Sequence, residues 1–164
     1  MAGNADTPLD ARFAPVDGDD GSRLLAVRVN RKNHVADLEA AVEGAIQSKY
    51  RNAGQTCVCT NRFYVHQSLH DAFVQKLAEA TQKIKVAPGL EPGSQLGPLI
   101  DQQAVDKVKS HVEDAVTKGA QLVIGGKSHA LGGTFYEPTV LSGVKKGMLI
   151  TEEETFGPVA AVIP

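Results

Sequence analysis

Tryptophan is absent from this sequence, and aromatic residues make up only 5% of it, so aliphatic side chains must build any core. The hydrophobic fraction of 42% is enough for one ordinary domain of 164 residues. No apolar run approaches the roughly eighteen residues of a membrane helix, and residues 1–22 lack the basic start and apolar middle of a signal peptide. We therefore expect a cytoplasmic protein.

A surplus of charge of one sign is also lacking, because the formal net charge is -2 and the lysines are scattered along the chain. Nucleic acids and anionic membranes are bound by a basic face. We therefore expect no nucleic acid and no membrane among the partners. The five histidines show no spacing with cysteines or carboxylates that predicts a metal site, and we expect none.

Cysteine is scarce as well, with Cys57 and Cys59 alone in the chain. A disulfide that closes so short a loop is strained and easily reduced, so we expect free thiols in a reducing compartment. Taken alone, Cys57 has two interpretations, a small buried hydrophobe or a nucleophile. Gly54 permits a tight backbone before it, and a cation such as Arg51 would favour the reactive thiolate.

The apolar spacing predicts three helices separated by short strands. The helices are expected from Asp37 to about Tyr50, from a Ser68 cap to about Ile84, and from about Asp101 to a C-cap at Gly119. Strands are expected within residues 61–66, 120–124, 135–141 and 159–163. This alternation favours an α/β sheet, with Cys57 on a passage from helix to strand.

The first part of the chain has a different character. Residues 1–22 are rich in Asp, Gly, Pro and Ala and show neither helical nor strand period. We therefore divide the chain into an irregular or non-native N-terminal segment, residues 1–36, and a domain that covers residues 37–164.

Two segments about a hundred residues apart carry the most specific patterns. They are Lys49-Tyr50-Arg51-Asn52-Ala53-Gly54-Gln55-Thr56-Cys57-Val58-Cys59 and Glu153-Glu154-Thr155-Phe156-Gly157-Pro158. The first resembles the active-site segment of the aldehyde dehydrogenase family, closest to its succinate-semialdehyde branch, and the second is similar to the cofactor-ribose motif of that family. The resemblance implies that residues 37–164 form part of a catalytic domain, a mostly parallel sheet flanked by helices.

The resemblance also implies roles for single residues. Cys57 would be the catalytic nucleophile that attacks an aldehyde and passes through a thiohemiacetal and a thioester. Glu154 would bind the ribose hydroxyls of NAD or NADP, and Phe156 would pack against the same end of the cofactor. Without the resemblance, Glu154 is interpreted as a solvated surface charge.

Two further residues keep alternative interpretations. Arg51 corresponds to a ligand of the substrate carboxylate, for which a planar guanidinium is suited, or it is an ordinary cation at a helix end. Cys59 corresponds to a redox partner of the nucleophile in some semialdehyde dehydrogenases, or it is a spectator thiol.

The family also has parts for which we find no counterpart. A Glu-Leu-Gly-Gly turn carries its general base, whereas residues 24–34 contain no glutamate. A cofactor domain should also precede the catalytic domain. We expect NAD(P)-dependent oxidation of a small aldehyde, with succinate semialdehyde favoured, but no turnover by this chain alone. Family members form homo-oligomers, so self-association is expected; the alternative is a non-catalytic remnant that binds a full-length aldehyde dehydrogenase.

Overall fold

The structure, a computed structural model, describes residues 37–164 in full and, among the first 36, only the backbone of two strands. These strands are β1 (Ala14–Asp17) and β2 (Arg23–Val27). The division into an irregular or non-native segment, residues 1–36, and a domain of residues 37–164 stays a prediction; within the first segment, β2 pairs with a strand of the main domain. The other residues of that segment lie outside the described part of the chain.

Six strands form one sheet. The remaining four are β3 (Arg62–Val65), β4 (Gln121–Ile124), β5 (Thr139–Ser142) and β6 (Val159–Ile163). Their order across the sheet is β1-β2-β3-β6-β5-β4. The four central strands are parallel, and the two edge strands pair antiparallel with their neighbours. The prediction of a mostly parallel sheet flanked by helices is confirmed.

The three predicted helices are also confirmed. They are α1 (Leu38–Tyr50), α2 (Gln67–Thr81) and α3 (Gln102–Thr117). The carboxylates of Asp37 and Asp101 cap α1 and α3, each accepting a backbone N–H three residues on. The predicted Ser68 cap is wrong, because the imidazole of His66 accepts the Ser68 N–H instead.

Some predicted boundaries moved for local reasons. Strand β5 begins only at Thr139, since Pro138 before it has no N–H to donate to a sheet. On α3, Ala115 is buried and the adjacent Val116 is 42% exposed, as a period of 3.6 residues requires. A short fourth helix, α4 (Leu149–Glu152), was not predicted.

The core lies between the central strands and the helices. Phe63, Phe73, Leu77, Val108 and Leu141 are among its fully buried side chains. The chain order within the sheet positions the site, because β3 follows the cysteine segment and β6 follows the cofactor motif. Since β3 and β6 are adjacent and parallel, the two segments that precede them lie at the same end of these strands.

Candidate functional site

The nucleophile loop, residues 51–59, starts where α1 ends. Asn52 and Ala53 have φ angles of 49° and 53°, in the left-handed region, and Gly54 follows at 74°. Residues other than glycine adopt this conformation at a cost of about 1–2 kcal/mol each. Such strain persists where the surrounding structure enforces it, and it clusters at functional sites.

Gly54 joins this loop to the cofactor motif. A Cβ atom at Gly54 would lie 2.1 Å from the backbone oxygen of Gly157. A Cβ at Gly157 would in turn lie 2.2 Å from a methyl group of Val108 on α3. The two segments identified in the sequence are therefore in direct backbone contact, and only glycine fits between them.

Gln55 holds the loop on its other side, a role that the sequence analysis missed. Its side-chain oxygen accepts the N–H of Ile100 at 2.9 Å, and its side-chain nitrogen donates to the oxygens of Asn52 at 3.2 Å and Pro98 at 3.4 Å. The amide thus ties the strained turn to residues 98–100. The cysteine that follows sits on a loop fixed at both flanks.

The two thiols have opposite environments. Cys57 is exposed, in a turn closed by the Cys59 N–H donating to the Thr56 oxygen at 2.9 Å. Cys59 is 2% exposed, and its sulfur contacts the Thr56 hydroxyl at 2.8 Å and the Arg51 backbone oxygen at 3.5 Å. Of the two interpretations of a lone cysteine, the small buried hydrophobe therefore fits Cys59. Cys57 is accessible to a reagent in solvent.

Arg51 lies at the first position of the loop, directly after α1, and its side chain is exposed. The Arg51 guanidinium is therefore on the same short segment as Cys57 and is not buried in the core. Its position is compatible with both interpretations, a ligand for a carboxylate and a cation at a helix end.

The cofactor motif presents its acidic side chains to solvent and anchors itself through Thr155. Glu153 and Glu154 are exposed, Phe156 is half-buried and Thr155 is buried. Asn61, at the start of β3, donates to the Glu154 carboxylate at 3.4 Å and accepts the Thr155 N–H at 3.1 Å. The exposed Glu154 is therefore hydrogen-bonded to the residue that precedes β3.

The ammonium group of Lys49 is buried near Cys59 and Glu154. Lys49 is 0% exposed, and no group among residues 37–164 forms a hydrogen bond with its Nζ atom. Burial lowers its pKa to about 8, against the opposing charges of Cys59 and Glu154 nearby. The sequence analysis placed Lys49 only within the family segment; its position on the buried face of α1 was the available signal.

A histidine secures the motif from the side of α3. His111 is buried, its Nδ1 atom is 2.7 Å from the Thr155 hydroxyl, and its Nε2 atom is 3.5 Å from a Glu153 carboxylate oxygen. Burial, with help from Lys107, lowers the pKa of His111, and Glu153 opposes that shift. Thr155 is thus held from two directions, by His111 and by Asn61.

Within residues 37–164, no group of three or more histidine, cysteine or carboxylate side chains is arranged to hold a metal ion. No helix in the same range has the length and apolar character needed to cross a bilayer.

Comparison with known proteins agrees with this geometry. The chain is 61% identical over 127 residues to the glutarate-semialdehyde dehydrogenase of Pseudomonas aeruginosa, covering 77% of this chain and 26% of that protein. It is 58% identical to the mitochondrial succinate-semialdehyde dehydrogenase of Rattus norvegicus, covering 78% and 25%. A crystal structure of succinate-semialdehyde dehydrogenase from Burkholderia pseudomallei superposes with a TM-score of 0.77 at 63% identity, covering 78% and 27%.

The chain thus spans about a quarter of the length of the curated relatives it matches. The sequence model of the aldehyde dehydrogenase family matches residues 33–164. These residues include the whole nucleophile loop and the whole cofactor motif. The chain belongs to the aldehyde dehydrogenase family.

Proposed function

We propose that residues 37–164 provide the nucleophile side of an NAD(P)-dependent semialdehyde dehydrogenase site, with Cys57 as the catalytic residue. One observation carries the proposal: an exposed thiol, on a strained loop tied by Gln55, is in backbone contact with the motif that presents Glu154. A structural cysteine needs neither the exposure nor the neighbouring motif. The arrangement suits a nucleophile that acts on a molecule in contact with both segments.

The chemistry begins with the Cys57 thiolate, which adds to the aldehyde carbon to form a thiohemiacetal. The Cys57 N–H is free of other hydrogen bonds within residues 37–164, so it can donate to the oxyanion that develops. A bound NAD or NADP would supply the acceptor for the hydride that the former aldehyde carbon gives up. An acyl thioester then remains on Cys57, and its hydrolysis releases the acid and restores the thiol.

The residues of the cofactor motif fit a nicotinamide dinucleotide. A ribose presents two neighbouring hydroxyl donors, and Glu154 offers an exposed carboxylate that accepts a hydrogen bond from Asn61. Phe156 leaves part of its ring accessible beside it. Glu154 and Phe156 are therefore our proposed cofactor-binding residues in this chain.

For the substrate we propose a small aldehyde that ends in a carboxylate, with succinate semialdehyde favoured. Arg51 is exposed on the same loop as Cys57, and a planar guanidinium can pair with a carboxylate through two parallel hydrogen bonds. Two of the relatives above are named for succinate and glutarate semialdehyde, which both have this chemistry.

We further propose that Cys59 is the redox partner of Cys57. Both thiols are free, which suits a reducing compartment such as the cytoplasm. Because Cys59 is buried and Cys57 is exposed, a disulfide between them requires the turn at residues 56–59 to rearrange. Oxidation would then remove the nucleophile reversibly and protect it from further oxidation.

The nucleophile is tested by acylation with p-nitrophenyl acetate, which needs no cofactor. We expect a burst of about one p-nitrophenolate per chain, followed by slow turnover, because residues 24–34 contain no glutamate to activate the deacylating water. The burst should be retained in Cys59→Ser, the matched control, and lost in Cys57→Ser. A burst that survives in Cys57→Ser contradicts the assignment of the nucleophile.

The same variants test the oxidation of succinate semialdehyde. We expect this 164-residue chain alone to give no sustained reduction of NAD+ or NADP+. Sustained reduction that disappears in Cys57→Ser would support the catalytic role of Cys57 and refute the expectation of an inactive chain.

A further inference from the structure

Asn61 makes two hydrogen bonds to residues far along the chain, in the cofactor motif. Its side-chain nitrogen donates to a Glu154 carboxylate oxygen at 3.4 Å, and its side-chain oxygen accepts the Thr155 N–H at 3.1 Å. Asn61 is 7% exposed, and its bond to the Thr155 N–H is sheltered from competing water, whereas its bond to the exposed Glu154 is only partly buried. An amide supplies a donor and an acceptor on neighbouring atoms, whereas an aspartate carboxylate supplies only acceptors and leucine supplies neither.

The groups around Asn61 leave its side chain little freedom. His111 fixes Thr155 from the opposite side through its hydroxyl, at 2.7 Å. The Lys49 ammonium is buried below, and its positive charge attracts the Glu154 carboxylate. Reversing the Asn61 amide would set its NH₂ group against the Thr155 N–H and its oxygen against the carboxylate. The two bonds therefore favour one orientation of the Asn61 amide, in which Asn61 and Lys49 both attract the Glu154 carboxylate.

A hydrogen bond made by the neighbouring residue, Thr60, does not involve the cofactor motif and serves as a comparison. Thr60, next to Asn61, is buried, and its hydroxyl lies 3.0 Å from the Ser48 hydroxyl of α1. That bond joins helix and strand but touches neither Glu154 nor Thr155. It provides a matched control one residue away.

We propose that Asn61 is a positioning residue: its amide fixes the Glu154 carboxylate and the Thr155 backbone in one arrangement and so presents Glu154 to the cofactor ribose. The inference rests on the proposed function for what Glu154 binds, but not for how Glu154 is held. Asn61 itself contacts no reacting atom.

The full 164-residue chain is examined by NMR as wild type, Asn61→Asp, Asn61→Leu and the control Thr60→Val. Three-bond Hα–Hβ couplings of Glu154 report whether its side chain keeps one rotamer, and hydrogen exchange reports on the Thr155 N–H. Melting curves establish that each variant is folded before its spectra are compared.

Asn61→Asp separates the two bonds, because its carboxylate still accepts the Thr155 N–H but can no longer donate to Glu154. We expect the Glu154 couplings to become averaged while Thr155 exchange stays slow. In Asn61→Leu both should change, with Thr155 exchange faster by about tenfold. Thr60→Val should leave both readouts as in the wild type. Glu154 couplings that stay unaveraged in Asn61→Asp and Asn61→Leu overturn the proposal.

The cofactor role is read separately, by titrating wild-type chain with NAD+ and following the Glu154 signals. If these signals do not respond to NAD+, the proposed function fails at Glu154. The coupling and exchange results decide on Asn61 in either case.

Discussion

The buried ammonium of Lys49 predicts an unusual dependence of stability on alkaline pH. Burial lowers its pKa from the ordinary 10.5 to about 8, with Cys59 and Glu154 acting in the opposite direction. Between those two values the unfolded chain binds more protons at this position than the folded chain does. The free energy of unfolding should therefore rise with pH, starting near pH 8.

The size of this effect follows from the same two values. At about 1.36 kcal/mol for each pKa unit, the charged Lys49 costs the folded chain about 3 kcal/mol at pH 7. Most of this cost is recovered between pH 7 and pH 10, as the folded-state ammonium loses its proton. No discount for solvent applies, because the side chain is fully buried.

Lys49→Met provides the comparison, since methionine keeps most of the length of the side chain without its charge. We expect the variant to be more stable than the wild type by about 3 kcal/mol at pH 7, with the difference narrowing to below about 1 kcal/mol at pH 10. Urea unfolding at pH 7, 8, 9 and 10 measures both free energies. Burial also raises the pKa of Tyr50, and that of Tyr136 to about 12, but these groups titrate alike in both chains and cancel. A difference that does not change with pH would refute the reasoning.

Three further predictions concern the packing around the site. Gly54→Ala should destabilise the chain by about 3 kcal/mol or more in urea unfolding, because a Cβ 2.1 Å from the Gly157 oxygen meets rigid backbone; an unchanged midpoint would contradict the close approach. Because the pKa of His111 is lowered in the folded chain, the imidazole binds a proton more readily when the chain is unfolded, and the free energy of unfolding should fall as the pH drops below about 6.5. In His111→Gln this pH dependence should be lost between pH 7.5 and 5. Tyr50→Phe should cost about 1–2 kcal/mol at pH 7, because the Thr139 oxygen loses a buried donor at 2.9 Å; full stability in a thermal melt would show that this bond contributes nothing.

The local features of the fold were predictable because they depend on neighbouring residues. Apolar spacing located all three long helices, and the short carboxylates of Asp37 and Asp101 marked two of their starts. The His66 cap was not predictable in this way, since histidine seldom competes with serine for that position. Helix α4 has only one turn, which is too short to show a period.

The candidate site likewise has parts that the sequence indicates and parts that it does not. Cys57 and Glu154 stand in recognisable segments, so the sequence alone identified them as candidates. The contacts of Gln55, Asn61 and His111 join residues far apart in the chain, and a single sequence carries no signal for such pairs. The burial of Lys49 was indicated only by its place on α1, where a lysine contradicts the expected apolar pattern.

The adjacency of β3 and β6 determines when the site can form during folding. Arg62 pairs with Ala161, so the chain must close a loop of almost the whole domain before the nucleophile loop meets the cofactor motif. Closing long loops is slow relative to forming the local helices, and strands paired this way become ordered late. An intermediate that contains only α1 and α2 would present Cys57 without the motif beside it. The selective reactivity of Cys57 should therefore appear together with the final cooperative folding step, which makes thiol labelling a probe of that step.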